Sequence, residues 1–117
     1  MKRCYSLKRN KEFRRVYHYG KSLKSRSLVL VYTKSAHEFT RFGFSVSKKL
    51  GNSVVRNRVR RRLREAVRLQ QQDIAGSYNI VFIARAPILT ESFDALRAQV
   101  HSLLHRAGAA GPKAGNQ

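Results

Sequence analysis

The sequence predicts an α+β fold, one small sheet with three helices packed on it. Three observations carry this. Apolar residues recur with helical spacing near 11–18, 53–71 and 92–106. Segments rich in β-branched and aromatic residues lie at 27–34, 41–48 and 78–85. The chain has 117 residues, 42% of them hydrophobic, which is one domain's worth with a core of its own.

Each element follows from its residues. Asn10 can cap a helix over 11–18, with Phe13, Val16 and Tyr17 on one face, Lys11, Arg14 and Arg15 facing elsewhere, and Gly20 as its C-terminal stop. A short strand fits near 21–25. Strand 27–34 points Leu28, Leu30 and Tyr32 one way and Val29 and Val31 the other. Strand 41–48 alternates Phe42, Phe44 and Val46 with Gly43, Ser45 and Ser47. Its small, polar face either meets solvent or leaves room for something to lie against it. Asn52 or Ser53 caps a helix running to about Gln71, with Val55, Val59, Leu63 and Ala66 as a narrow apolar stripe. Arg62 falls near that stripe, its stem on apolar surface and its head reaching out. Strand 78–85 is almost continuously apolar and therefore central, and Pro87 ends it. The last helix, 92–106, carries Phe93, Leu96, Val100, Leu103 and Leu104 on one side and stops at Gly108. The domain reading is a flexible basic N-terminus at 1–7, one folded domain at 8–106 and a flexible tail at 107–117.

Charge narrows the function. Lys plus Arg is 25 against 6 acids, a net charge of +19. Ten of the basic residues fall in 1–26 and ten more in 41–68. Seven arginines (Arg56, Arg58, Arg60, Arg61, Arg62, Arg64 and Arg68) share one helix, with Glu65 alone to offset them. Like charges four residues apart each cost a few tenths of a kcal/mol, about 0.2–0.5. A helix that tolerates this calls for a polyanion, and arginine suits bidentate phosphate contact. Asn57, inside the run, either contacts a base edge or a hydrated metal ion on RNA, or lies idle on the outer face. Aromatic residues beside the basic ones, Phe13, Tyr17 and Tyr32, can stack on unpaired bases or pack in the core.

Other chemistries lack their residues. No apolar run is long enough to cross a membrane, and the N-terminus has no apolar segment of secretory type. A lone Cys4 fits a reducing, cytoplasmic setting. The six acids are scattered rather than clustered for hard cations. His101 and His105 have a zinc-compatible spacing but no evident third ligand. The classes in play are an RNA-binding subunit, a structural RNA-binding protein, a protein-only nuclease and a DNA-binding helix.

The stretch Arg41-Phe42-Gly43-Phe44-Ser45-Val46-Ser47-Lys48-Lys49-Leu50-Gly51-Asn52, followed by Arg56-Asn57-Arg58-Val59-Arg60-Arg61, closely resembles the signature of the bacterial ribonuclease P protein subunit. The Lys-Arg-Asn-x-x-Phe-x-x-Val-Tyr opening, the Leu-Val-Tyr strand and the Ile-Val-Phe-Ile-Ala-Arg strand extend the likeness over about residues 5–105. The resemblance implies a fold like that of ribosomal protein S5 domain 2, with a left-handed βαβ crossover. It implies an endoribonuclease holoenzyme that hydrolytically removes the 5′ leader of precursor tRNA. Catalysis there rests with the RNA subunit and Mg²⁺, and the protein by itself binds no cofactor. By resemblance, Lys48, Lys49, Arg56, Asn57, Arg58, Arg60, Arg61, Arg64 and Arg68 bind the ribonuclease P RNA. Phe13, Tyr17, Leu30, Tyr32 and Ser45 would form a central cleft for the single-stranded leader. The partners expected are that RNA, one-to-one with a protein monomer, and precursor tRNA, with no membrane. Arg62 stands where the family commonly has an apolar residue, and Tyr17 where phenylalanine is common.

Overall fold

Four strands form one sheet in the order β1-β2-β4-β3: β1 Lys21–Lys24, β2 Leu28–Lys34, β3 Arg41–Ser45 and β4 Tyr78–Ala84. Three helices accompany it: α1 Asn10–Tyr19, α2 Ser53–Arg68 and α3 Phe93–Arg106. The computed structural model describes residues 7, 10–35, 39–70, 74 and 76–108. β1, β2 and β4 pair antiparallel, whereas β3 and β4 are parallel neighbours joined through α2, a βαβ unit.

Alternation along the strands decides what covers each face. Leu28 and Leu30 of β2, Phe42 of β3 and Ile80, Phe82 and Ala84 of β4 pack under α2 and α3. There they meet Val59, Leu63, Ala66 and Val67 of α2 and Leu96, Val100, Leu103 and Leu104 of α3. The intervening residues, Val31 and Val81, carry a smaller core against Val16 of α1. That core also takes Leu7, whose backbone N–H donates to the Phe42 carbonyl at 2.7 Å. Leu7, within the stretch expected to be flexible, is thus packed against the sheet. The rest of the expected flexible segments, 1–6 and 109–117, lie outside the described residues.

The boundaries shift for identifiable reasons. β3 ends at Ser45 because Ser47 caps a 3₁₀ turn over Lys48–Leu50, its hydroxyl accepting from the Lys49 N–H at 3.1 Å. Asn52 is the cap of α2, its side-chain oxygen accepting from the Val55 N–H at 3.0 Å. Gly20 follows α1 but does not take a left-handed backbone. It is needed for close approach instead: a Cβ there would lie 2.3 Å from the Val16 carbonyl oxygen and 2.7 Å from the Val31 side chain. Gly108, with φ 82, does follow α3 in the left-handed form. β4 gives way to a 3₁₀ turn over Ala86–Thr90 with Pro87 near its start. Among the described residues no helix is long and apolar enough to cross a membrane.

Candidate nucleic-acid interface

α1 lies across the sheet face that α2 and α3 leave uncovered. Near β3 its Phe13 ring rests on Gly43, where an added Cβ would come within 2.5 Å of the ring. At the other end Gly20 sits against Val31 of β2. Glu12 of α1 and Arg41 of β3 form an ion pair that ties the two elements. α1 does not cover the sheet completely. In the register row Lys24, Val29, Ile83 and Ser45, which spans all four strands, Val29, Ile83 and Ser45 remain half-buried.

A cavity of about 450 Å³ opens where this uncovered strip reaches α2. It is lined by Asn10, Phe13, Arg14 and Tyr17 of α1, by Phe44 and Ser45 of β3 with Val46 just beyond, and by Arg60 of α2. A smaller cavity of about 120 Å³ adjoins it, sharing Phe13, Phe44 and Arg60 and adding Arg64. The Arg64 guanidinium lies 6.0 Å from the centre of the Phe44 ring, within cation–π range. Aromatic rings and cations from both basic blocks of the sequence thus line the same groove. Such a groove offers stacking surfaces for bases and charge for the phosphates between them.

The residues expected in the cleft divide. Phe13, Tyr17 and Ser45 line it together. Leu30 and Tyr32 do not, and these two are corrections. Leu30 is fully buried under α2 and α3, and Tyr32 shares that face, its ring 6.2 Å from Tyr78. The period-two alternation that puts Leu28 in the core takes Leu30 and Tyr32 with it, so β2 presents Val29 to the open side. Arg14 was expected to face away and instead lines the cavity. Its signal was the spacing Asn10, Arg14, Tyr17, which marks one flank of a helix. Phe44 was expected on the core face alone, but an edge strand leaves its ring half-buried and shared between the core and the groove.

The residues expected to bind RNA also divide. Arg58 and Arg61 are exposed on the outward side of α2 and make no hydrogen bond or ion pair within the described residues. Lys48 and Lys49 are exposed on the 3₁₀ turn that leads into it. Arg56 is half-buried, its Nε donating to the Gly51 carbonyl at 3.2 Å. Arg68 is held by Glu65 in two hydrogen bonds of 3.0 and 2.5 Å. That pairing lowers the Glu65 carboxyl and raises the Arg68 guanidinium from their ordinary values, chiefly through the hydrogen bonds between them. Arg60 turns to the groove, and Asn57 accepts a hydrogen bond from its Nη1 at 3.1 Å. Arg62 does not reach outward. Its Nη2 donates to the Glu91 carbonyl at 2.6 Å and its Nη1 to that of Ile88 at 3.4 Å.

Glu12, Glu65 and Glu91 are engaged within the fold. Glu91 accepts from Ser27 and Gln99 at 2.6 and 2.7 Å, which holds its carboxyl below the usual glutamate range. Among the described residues no three of His, Cys, Asp and Glu come together in a group that could hold a metal ion. His101 and His105 stack 5.9 Å apart, and His101 contacts Gln70.

The Ribonuclease P family profile matches residues 1–108. A "Ribonuclease P protein component" of Roseiflexus castenholzii is 46% identical over 109 residues, 92% of this chain and 89% of the relative. One of Symbiobacterium thermophilum is also 46% identical, over 92% of this chain and 95% of the relative. Among solved structures, the RNase P protein of Staphylococcus aureus superposes with a TM-score of 0.83 at 31% identity, over 92% of this chain and 98% of that one. The RNase P protein from Thermotoga maritima gives 0.80 at 28% identity, over 86% and 96%.

Proposed function

The chain belongs to the ribonuclease P protein component family, and from that premise we propose that its groove takes the single-stranded 5′ leader of precursor tRNA while the outward side of α2 docks on the ribonuclease P RNA. The family function is tRNA 5′ maturation, performed by a holoenzyme in which the protein works with an RNA subunit.

One observation carries the assignment of the groove. Phe13, Tyr17 and Phe44 line one cavity together with Arg14 of α1 and Arg60 of α2. Stacking on aromatic faces is tolerant of sequence because every base has a π-face, and the cations follow the backbone. Leaders differ in sequence, and a groove of this kind holds them without reading them. On the outward side, Arg58, Arg61, Lys48 and Lys49 offer unengaged cations to a folded RNA. We place Mg²⁺ with the RNA, as the family resemblance implies. The protein's part is to position the leader and to neutralise phosphates, which lowers the Mg²⁺ concentration the RNA needs. We assign one protein monomer to each RNA and a cytoplasmic setting.

The test is cleavage of a 5′-extended precursor tRNA at low Mg²⁺ by a bacterial ribonuclease P RNA, with and without this protein, beside a protein-only control. Correct 5′ ends only when both molecules are present support the reading. Cleavage by protein alone places the catalyst in the wrong molecule. RNA binding with no stimulation of a competent RNA favours a purely structural RNA-binding role.

A further inference from the structure

Asn57 is the one uncharged polar residue in the arginine run from 56 to 62, and its expected role was direct contact with RNA. The structure gives its side-chain oxygen another occupation. That oxygen accepts from Arg60 Nη1 at 3.1 Å, one turn further along α2. Arg60 is the α2 residue that lines both cavities of the groove. It also has like-charged neighbours at i−4 and i+4, Arg56 and Arg64, an arrangement that disfavours holding three guanidinium groups along one side of the helix. Glu65, the acid on this helix, is taken by Arg68. Asn57 therefore supplies the acceptor that keeps Arg60 in place. Its amide NH₂, a separate donor group, stays available on the exposed side of the helix.

We propose that Asn57 is a positioning residue for the groove: its side-chain oxygen holds the Arg60 guanidinium where the leader phosphates pass, and so couples the RNA-docking side of α2 to leader binding. The inference rests on the groove being the leader site. An RNA subunit that engages the Asn57 amide NH₂ fixes the orientation of the amide. The oxygen, and Arg60 with it, are then fixed as well. Assembly on one side of α2 thereby tightens the grip on the other, a coupling that must be reciprocal.

The experiment is a double-mutant cycle in the assembled holoenzyme, with protein saturating over a bacterial ribonuclease P RNA. The readout is the ratio of affinities for a leader-bearing precursor tRNA and the mature tRNA. The affinity of each variant for the RNA subunit is measured separately. Arg60→Ala is expected to lower the ratio about tenfold or more, as removal of a charged hydrogen-bond donor does. Asn57→Ala is expected to lower it about threefold to tenfold. The two together should do no more than Arg60→Ala alone. Asn57→Asp, which keeps the acceptor but loses the amide NH₂, should recover part of the ratio lost in Asn57→Ala while weakening binding to the RNA subunit. If Arg60→Ala lowers the ratio and Asn57→Ala does not, or the two losses add, the positioning role is overturned while the leader groove stands. If Asn57→Ala weakens only the RNA subunit, Asn57 serves that RNA directly and the inference fails. If Arg60→Ala leaves the ratio unchanged, the groove assignment fails at Arg60 and the inference falls with it.

Discussion

Arg62 of α2 donates through Nη2 to the backbone carbonyl of Glu91 at 2.6 Å, which fastens the arginine helix to the turn leading into α3. An arginine in a run of cations is thus a structural strut. Its neighbours Arg58 and Arg61 serve no such role. Arg62→Ala is expected to destabilise the fold by about 1.5–3 kcal/mol, the range for a hydrogen bond to a charged group. Urea unfolding of the free protein checks this, with Arg61→Ala within about 0.5 kcal/mol of the parent.

Arg58 and Arg61 should behave in the opposite way. Either alanine variant is expected to leave folding intact and weaken binding to the ribonuclease P RNA. The slope of log affinity against log salt should flatten by about 0.7–0.9 for each phosphate that is no longer neutralised. Filter binding across a salt series reads the slope directly.

Gly43 should be intolerant of any side chain. A Cβ there would lie 2.5 and 2.6 Å from two ring carbons of Phe13, in a buried position. Gly43→Ala is expected to push the ring off β3, lowering Tm and weakening precursor binding together. Paired melting and binding measurements on the same preparation check it.

Acid should loosen the joint between the β1–β2 turn and α3. Glu91 is held below the usual glutamate range by its hydrogen bonds from Ser27 and then Gln99. A carboxylate depressed in the folded state stabilises above its unfolded pKa, and that contribution disappears as pH falls through the folded value. Stability should therefore decline as pH drops from the ordinary glutamate range downward. Glu91→Gln should flatten that part of the profile, measured as urea midpoint against pH.

Most of the fold was legible because apolar periodicity is a strong signal. The stripe Val59, Leu63, Ala66 and the run Ile80–Phe82 could only be buried helix and central strand, and they are. The short strand Lys21–Lys24 was legible too, though its residues are mostly exposed. The groove was legible in part. The structure brings Phe13, Tyr17 and Ser45 to one cavity and puts Leu30 and Tyr32 on the other face of β2, because a strand's two faces are assigned by parity, which family resemblance does not report. Arg14 and Arg60 were hidden by charge itself. Composition marks both blocks as basic, yet only the packing of α1 on β2 and β4 brings a cation from each block to one cavity. Partners such as the Glu91 and Ile88 carbonyls belong to the backbone and leave no mark in the sequence at all.

The central claim is that the groove between α1, β3 and α2 holds the leader. Its most direct test is the affinity of the assembled holoenzyme for precursor and for mature tRNA, with Phe13→Ala, Tyr17→Ala and Tyr32→Ala beside the parent. Stacking is worth about 1–3 kcal/mol per base. Phe13→Ala and Tyr17→Ala should therefore weaken precursor binding about five- to 150-fold and leave mature tRNA binding unchanged. Tyr32→Ala, on the other face of the sheet, should lower stability and leave the ratio alone. Equal losses for precursor and mature tRNA with Phe13→Ala and Tyr17→Ala, or a selective precursor loss confined to Tyr32→Ala, would contradict the assignment.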